Sequence, residues 1–334
     1  MSKHLLIVGS GSVGKRHARN LAALGCRISC MDPREDRRAE LIAEIPCVGT
    51  FASLKEALAG GGLDGVVIGS PPSAHLAQTT AAVAAGLPVL LEKPVSPDLA
   101  GARALRDAAA TAGVPVLLGY TWRWWPPLAR ARQLLQQGAI GKVLHVQFQM
   151  SAHLADWHPW ERYQDFFMAS SALGGGALLD ESHWIDLALW MFDLPNSVFA
   201  RVEKLSGLEI DTDDNVDMLL AYDDGLRIGI HLDIFGRPHE KFIRFLGDRG
   251  TLLWSADPNR ISWGNGIAGW EHSEDFTCER NGMFVAVAQD FLQMLSGTLE
   301  AQCTLEDGVK VMRVIAAARS SNAERREISL EDLQ

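Results

Sequence analysis

The chain has 334 residues, a formal net charge of −10, 47% hydrophobic and 22% charged residues. That is globular composition at a length greater than one hydrophobic core usually organises, so two domains are expected, without disorder, collagen or coiled coil. The acidic balance, with no basic block or stripe, excludes the electrostatic footprint of a nucleic-acid binder.

Up to about residue 120, short apolar runs alternate with Ala/Leu-rich helical ones. Strands are predicted at 4–9, 27–32, 64–70, 87–92 and 114–120, with helices such as 73–85 and 98–112 between them. Strands that are apolar throughout suit a parallel sheet covered on both faces, a doubly wound α/β domain over 1–121. After the first strand comes "GSGSVG" (9–14), in which Gly9, Gly11 and Gly14 have GxGxxG spacing with Ser12 and Val13 between them. Gly9 would allow the tight turn, Gly11 the approach of a pyrophosphate and Gly14 the packing of helix on strand, while the helix start offers free N–H groups. Asp32 closes the second strand, where a carboxylate bonds both ribose hydroxyls and repels a 2′-phosphate, which favours NAD over NADP. Arg34, two residues on, could accept that phosphate or lie over the adenine.

Past Pro127 a helix at about 128–137 precedes "KVLHVQFQMS" (142–151) and a Trp-rich segment. Next comes "GGGALLDESHWIDLALWM" (174–191), read as one helix from Ala177 to Met191 that carries Asp180, His183 and Asp186, with Asp180 and His183 on one face. Strand-like runs between 197 and 278 predict an α+β domain over 122–334 with an open, mostly antiparallel sheet. Helices at about 282–296 and 305–321 close the chain. Within this half, "DTDDN" (211–215) reads as a solvated turn, lacking the frame of a calcium loop. Cys26, Cys30, Cys47, Cys278 and Cys303 form no CxxC pair or zinc pattern, so no metal site is expected. Neither a leader nor about 18 continuous apolar residues occurs, so a cytoplasmic protein without a membrane partner is expected.

"LLEKPVS" (90–96) puts Glu92, Lys93 and Pro94 at the carboxyl edge of the sheet, where open α/β sheets bind ligands. With "GSPPSAH" (69–75), "GYTWRWWP" (119–126), "GAIGKV" (138–143), the triple-glycine helix and "TLEDGVKVMRVIAAARSS" (304–321), the chain resembles the glucose-fructose oxidoreductase/inositol dehydrogenase (Gfo/Idh/MocA) family along its whole length. The resemblance implies a nicotinamide-dependent oxidoreductase of sugars, cyclitols or their activated derivatives. Its fold would be an N-terminal Rossmann domain and a C-terminal sheet whose open face serves a homodimer or homotetramer. By the same resemblance Lys93 touches the nicotinamide ribose and the substrate hydroxyl, the Lys93–Pro94 bond can be cis, Ser70, Pro71 and His75 line the dinucleotide together with Glu92, and Arg123 and Tyr120 line the pocket.

Alcohol oxidation needs a group to take the hydroxyl proton, a task open to a desolvated Lys or a His. Lys93 and His183 are the candidates and Asp180 the orienting carboxylate; only Glu181 and Ser182 separate Asp180 from His183, one residue fewer than the usual family spacing. Glu181 is read as structural and Asp186 as a support or domain contact. "HLADWHPWERYQDFF" (153–167), with Trp157, His158 and Tyr163, reads equally as a carbohydrate-gripping loop or as one packed down by its aromatics. Two other functions stay open: an NAD-retaining glycosidase that works by transient oxidation, and a dinucleotide-sensing regulator without catalysis.

Overall fold

The computed structural model describes residues 2–157, 159, 161–267 and 269–333. In chain order its first elements are β1 (His4–Val8), α1 (Ser12–Ala23), β2 (Arg27–Met31), α2 (Glu35–Glu44), β3 (Cys47–Phe51), α3 (Leu54–Ala59), β4 (Gly65–Ile68), α4 (Pro72–Ala84), β5 (Val89–Leu91), α5 (Leu99–Ala112) and β6 (Val116–Leu118). Then follow α6 (Pro126–Gln136), β7 (Val143–Ser151), α7 (Ala177–Asp180), α8 (His183–Phe192), β8 (Ser197–Glu203), β9 (Asn215–Ala221) and β10 (Arg227–Asp233). The last are β11 (Glu240–Gly247), β12 (Thr251–Ala256), β13 (Asn259–Gly264), β14 (His272–Asp275), α9 (Arg280–Leu295), α10 (Leu305–Glu324) and β15 (Ile328–Ser329).

Two compact units result: Met1–Thr121 with Arg280–Met312, and Trp122–Glu279 with Arg313–Gln334. By this division residues 280–312, read in sequence as part of the second domain, group with the first unit. Packing explains the grouping. Gly65 on β4 has no Cβ, and one built there would come within 3.1 Å of the Phe291 and Leu295 side chains of α9, while Phe284 of α9 meets the His17 ring edge-on at 5.7 Å.

The first unit is a six-stranded parallel sheet of order β3-β2-β1-β4-β5-β6. Leu5–Val8, Val66–Ile68 and Val89–Leu91 are fully enclosed, as strands covered on both faces must be. The second unit holds a nine-stranded sheet of order β14-β13-β12-β11-β7-β10-β9-β8-β15, antiparallel except for β7 beside β10. Alternation sets its faces. Val146, Phe148, Ile228, Ile230, Met218, Leu220, Phe245 and Trp254 are buried on one side, while Gln147, Asp217, Leu219 and Arg244 are exposed on the other. Among the described residues no helix is long and apolar enough to cross a membrane.

Candidate functional site

The turn after β1 is built by what glycine lacks. Gly9 has φ +88°, and a Cβ there would lie 2.7 Å from the Ser70 nitrogen; at Gly14 it would lie 1.8 Å from the Gly9 oxygen. Gly11 differs: its φ is −73° and a Cβ would meet nothing within 4 Å. The fold therefore makes no demand for glycine at position 11, and the open space before it fits the approach of a dinucleotide phosphate. Gly11 also starts α1 with no side-chain cap, which leaves the first-turn N–H groups, including those of Ser12 and Val13, to an anion.

Asp32 follows β2 and is 9% exposed. Its carboxylate accepts from the Ser10 N–H at 2.8 Å and the Arg34 N–H at 2.9 Å. Each oxygen keeps a lone pair for a ribose hydroxyl. The exposed Arg34 guanidinium reaches both carboxylate oxygens of Asp36, and this partner raises the pKa of Arg34 while holding Asp36 down at about 2.

Ser70 bonds Gln78 through its hydroxyl, and Pro71 caps α4. His75 is fully enclosed, with Nδ1 2.7 Å from the Pro94 carbonyl oxygen and Nε2 2.9 Å from that of Ser70. Its two ring nitrogens thus face backbone carbonyls of the loops after β4 and β5, and burial lowers its pKa. From Val89 to Ser96 every residue is buried except Lys93, and the Lys93–Pro94 bond is cis. Glu92 is buried, its Oε1 2.6 Å from His17 Nε2. Tyr120 is buried.

In the second unit the helix read over 177–191 is two. α7 stops at Asp180 and α8 begins at His183. Tighter bonds span the break, Ser182 N–H to the Leu179 carbonyl at 3.4 Å and Trp184 N–H to the Glu181 carbonyl at 3.0 Å. Glu181 turns inward to accept from the Trp184 indole N–H at 2.9 Å, which is the structural role read for it. Apolar spacing runs on across Glu181–Ser182, so the sequence carries no sign of the interruption. Asp180 is buried at the end of α7, and His183 is partly exposed at the start of α8. Arg123 lies against Asp186 in a buried ion pair, Nε to Oδ2 2.9 Å and Nη2 to Oδ1 2.6 Å. Two of the guanidinium N–H groups of Arg123 thus bind α8.

The triple glycine is shaped by its own chain. A Cβ on Gly175 would lie 2.4 Å from the Phe167 carbonyl oxygen, and one on Gly176, whose φ is +108°, 2.4 Å from Asp213 Oδ1. Asp213 also accepts from the Leu178 N–H at 2.7 Å, and burial pushes its carboxyl pKa up. The "DTDDN" stretch is thus no solvated turn: Asp211 holds Ser171, Asp213 holds α7, and buried Asp214 accepts from the Leu205 and Ser206 N–H groups. Sequence reasoning missed Asp213, whose only trace was a run of acids unusual for a plain turn.

Trp157 is partly exposed, and the Tyr163 hydroxyl accepts from the Glu209 N–H at 3.2 Å. Asp156 pairs with Arg237 through two bonds of 2.7 Å. His158 lies outside the described residues, as does Trp160.

A parallel sheet with a phosphate-ready glycine turn and a carboxylate at the end of its second strand defines a dinucleotide-binding protein of Rossmann type. Residues 3–120 match the oxidoreductase family with NAD-binding Rossmann fold, and residues 128–253 match the GFO/IDH/MocA C-terminal domain. The chain belongs to the Gfo/Idh/MocA oxidoreductase family.

It is similar to the inositol 2-dehydrogenase of Streptomyces avermitilis, 34% identical over 142 residues that span 41% of each chain. The scyllo-inositol 2-dehydrogenase (NADP+) of Bacillus subtilis is 23% identical across 88% of this chain and 87% of its own. Levoglucosan dehydrogenase, solved with NADH and levoglucosan, has the same fold with a TM-score of 0.88 at 17% identity, over 99% of this chain and 100% of that one.

Proposed function

We propose that the protein is an NAD(H)-dependent dehydrogenase or reductase of a sugar, cyclitol or activated sugar derivative. The observation that carries this reading is Gly11, glycine where neither its backbone angle nor its neighbours require one, beside an Asp32 carboxylate already held for a ribose. The inositol 2-dehydrogenases and the levoglucosan enzyme support the substrate class. A bound nicotinamide would supply a hydride acceptor or donor for a CH–OH carbon. In this reading Lys93 and His183 take up or return the hydroxyl proton, and Asp180 orients the substrate. Trp157 and Tyr163 offer aromatic faces to the sugar C–H surface. Asp32 selects NAD, since a 2′-phosphate would face its carboxylate and Arg34 is already engaged by Asp36.

The open face of the large sheet places exposed Phe199 opposite exposed Leu219, which supports a homodimer or homotetramer. Thermal melting with each cofactor tests the nucleotide half. NAD+ is expected to raise Tm more than NADP+ at equal concentration, and the reverse order overturns the role given to Asp32.

A further inference from the structure

Lys93 is the one partly exposed residue between Val89 and Ser96, and both of its neighbours are gripped by a buried histidine. On one side the Glu92 carboxylate meets His17 Nε2 at 2.6 Å, with side-chain exposures of 8% and 0%. Gly119 closes over that carboxylate, because a Cβ there would stand 3.0 Å from its Cδ and Oε1. On the other side His75 Nδ1 meets the Pro94 carbonyl at 2.7 Å. The two histidines come from different helices. His17 lies three residues after Gly14 on α1, and His75 lies on α4, which begins just past Ser70.

We propose that His17 and His75 are positioning residues for Lys93, clamping Glu92 and Pro94 so that the backbone between them is fixed. The proposal rests on the reading of Lys93 as a proton-handling group. The physical need is clear: a lysine ammonium rides on a flexible four-carbon stem, so its reach is set by how firmly its Cα is held. A displacement of about 1 Å at a reacting group costs on the order of 100-fold in rate, and supporting hydrogen bonds are what keep such a group within about 0.5 Å. Both helices also start beside the glycine turn, so the residues that would receive the dinucleotide phosphates and those that hold Lys93 share two rigid elements.

His17→Phe keeps a ring against Phe284 and removes the bond to Glu92; His17→Gln returns an amide nitrogen to about the same place. Hydrogen–deuterium exchange of the peptide covering Leu91–Ser96, titration with NADH and steady-state kinetics on a polyol that the wild-type enzyme oxidises read the two variants. In His17→Phe that peptide is expected to exchange at least about tenfold faster while β1 and β4 stay protected, with NADH affinity within about threefold and kcat down more than about 30-fold. His17→Gln is expected to recover most of the lost kcat. Unchanged exchange in the peptide, with wild-type kcat per folded molecule, overturns the clamp. If His17→Phe does not fold, His75→Leu, which removes the bond to the Pro94 carbonyl, is read by the same measures from the other side of Lys93, with the same two outcomes. A wild-type enzyme that turns over no polyol refutes the dehydrogenase reading, and the exchange rates alone then decide the clamp.

Discussion

Arg123 grips Asp186 with two bonds, 2.9 and 2.6 Å long, between side chains only 6% and 1% exposed. Asp186 lies one turn beyond His183 on α8, so the pair fixes the helix that presents the histidine. Removing one partner strands the other charge in the interior, which costs about 3–5 kcal/mol. Arg123→Ala is therefore expected to lose about that much in urea denaturation, and Arg123→Lys to recover only part of it, because an ammonium cannot make the fork. A loss below about 1 kcal/mol for Arg123→Ala would mean that the pair is weakly coupled to the fold.

Two glycines of one motif should fail in different ways. Gly14→Ala drives a methyl to 1.8 Å from the Gly9 oxygen, so Tm should fall and cofactor binding with it. Gly11→Ala meets nothing; its stability should stay within about 1 kcal/mol of wild type, since the change alters only a helix cap. NADH affinity should nonetheless drop at least about tenfold, as the methyl occupies the phosphate approach. Calorimetry with and without NADH separates the two, and equal loss of stability in both variants would remove the argument from Gly11.

His231 on β10 lies between two carboxylates, Asp217 at 2.7 Å and Asp233 at 3.2 Å. The bond to Asp233, then that to Asp217, raises its pKa from the ordinary 6.5 to about 9. A folded pKa above the unfolded one gives stability that is fully present below about pH 6.5 and lost as pH rises through about 9. With its side chain 31% exposed, screening reduces the contribution to about 1–2 kcal/mol. His231→Gln should thus be less stable than wild type by about that amount at pH 6, with the gap closing by pH 10. A gap independent of pH would show that the imidazolium is not what the carboxylates hold.

Local signals carried the first unit. Its buried strands are continuous apolar runs, and the glycine turn and Asp32 lie within one βαβ stretch, so both were legible. β3 was not: "CVGTF" is an edge strand with alternating half-buried residues and Gly49 in the middle, which leaves no apolar run to see. Long-range partners were beyond reach in the site as well. His17 finds Glu92 across 75 residues and Asp213 finds Leu178 across 35, and neither helix face nor turn composition encodes such a meeting.

NADH absorbance with NAD+ and a panel of inositols, anhydrosugars and nucleotide sugars tests most directly whether Lys93 and His183 handle the proton during net hydride transfer. Wild type should reduce NAD+ with at least one member of the panel, while Lys93→Ala and His183→Asn lose about 100-fold or more in kcat yet still bind NADH and melt near the wild-type temperature. Release of an aglycone from a glycoside without net NADH, or near-normal turnover in either variant, would contradict that role.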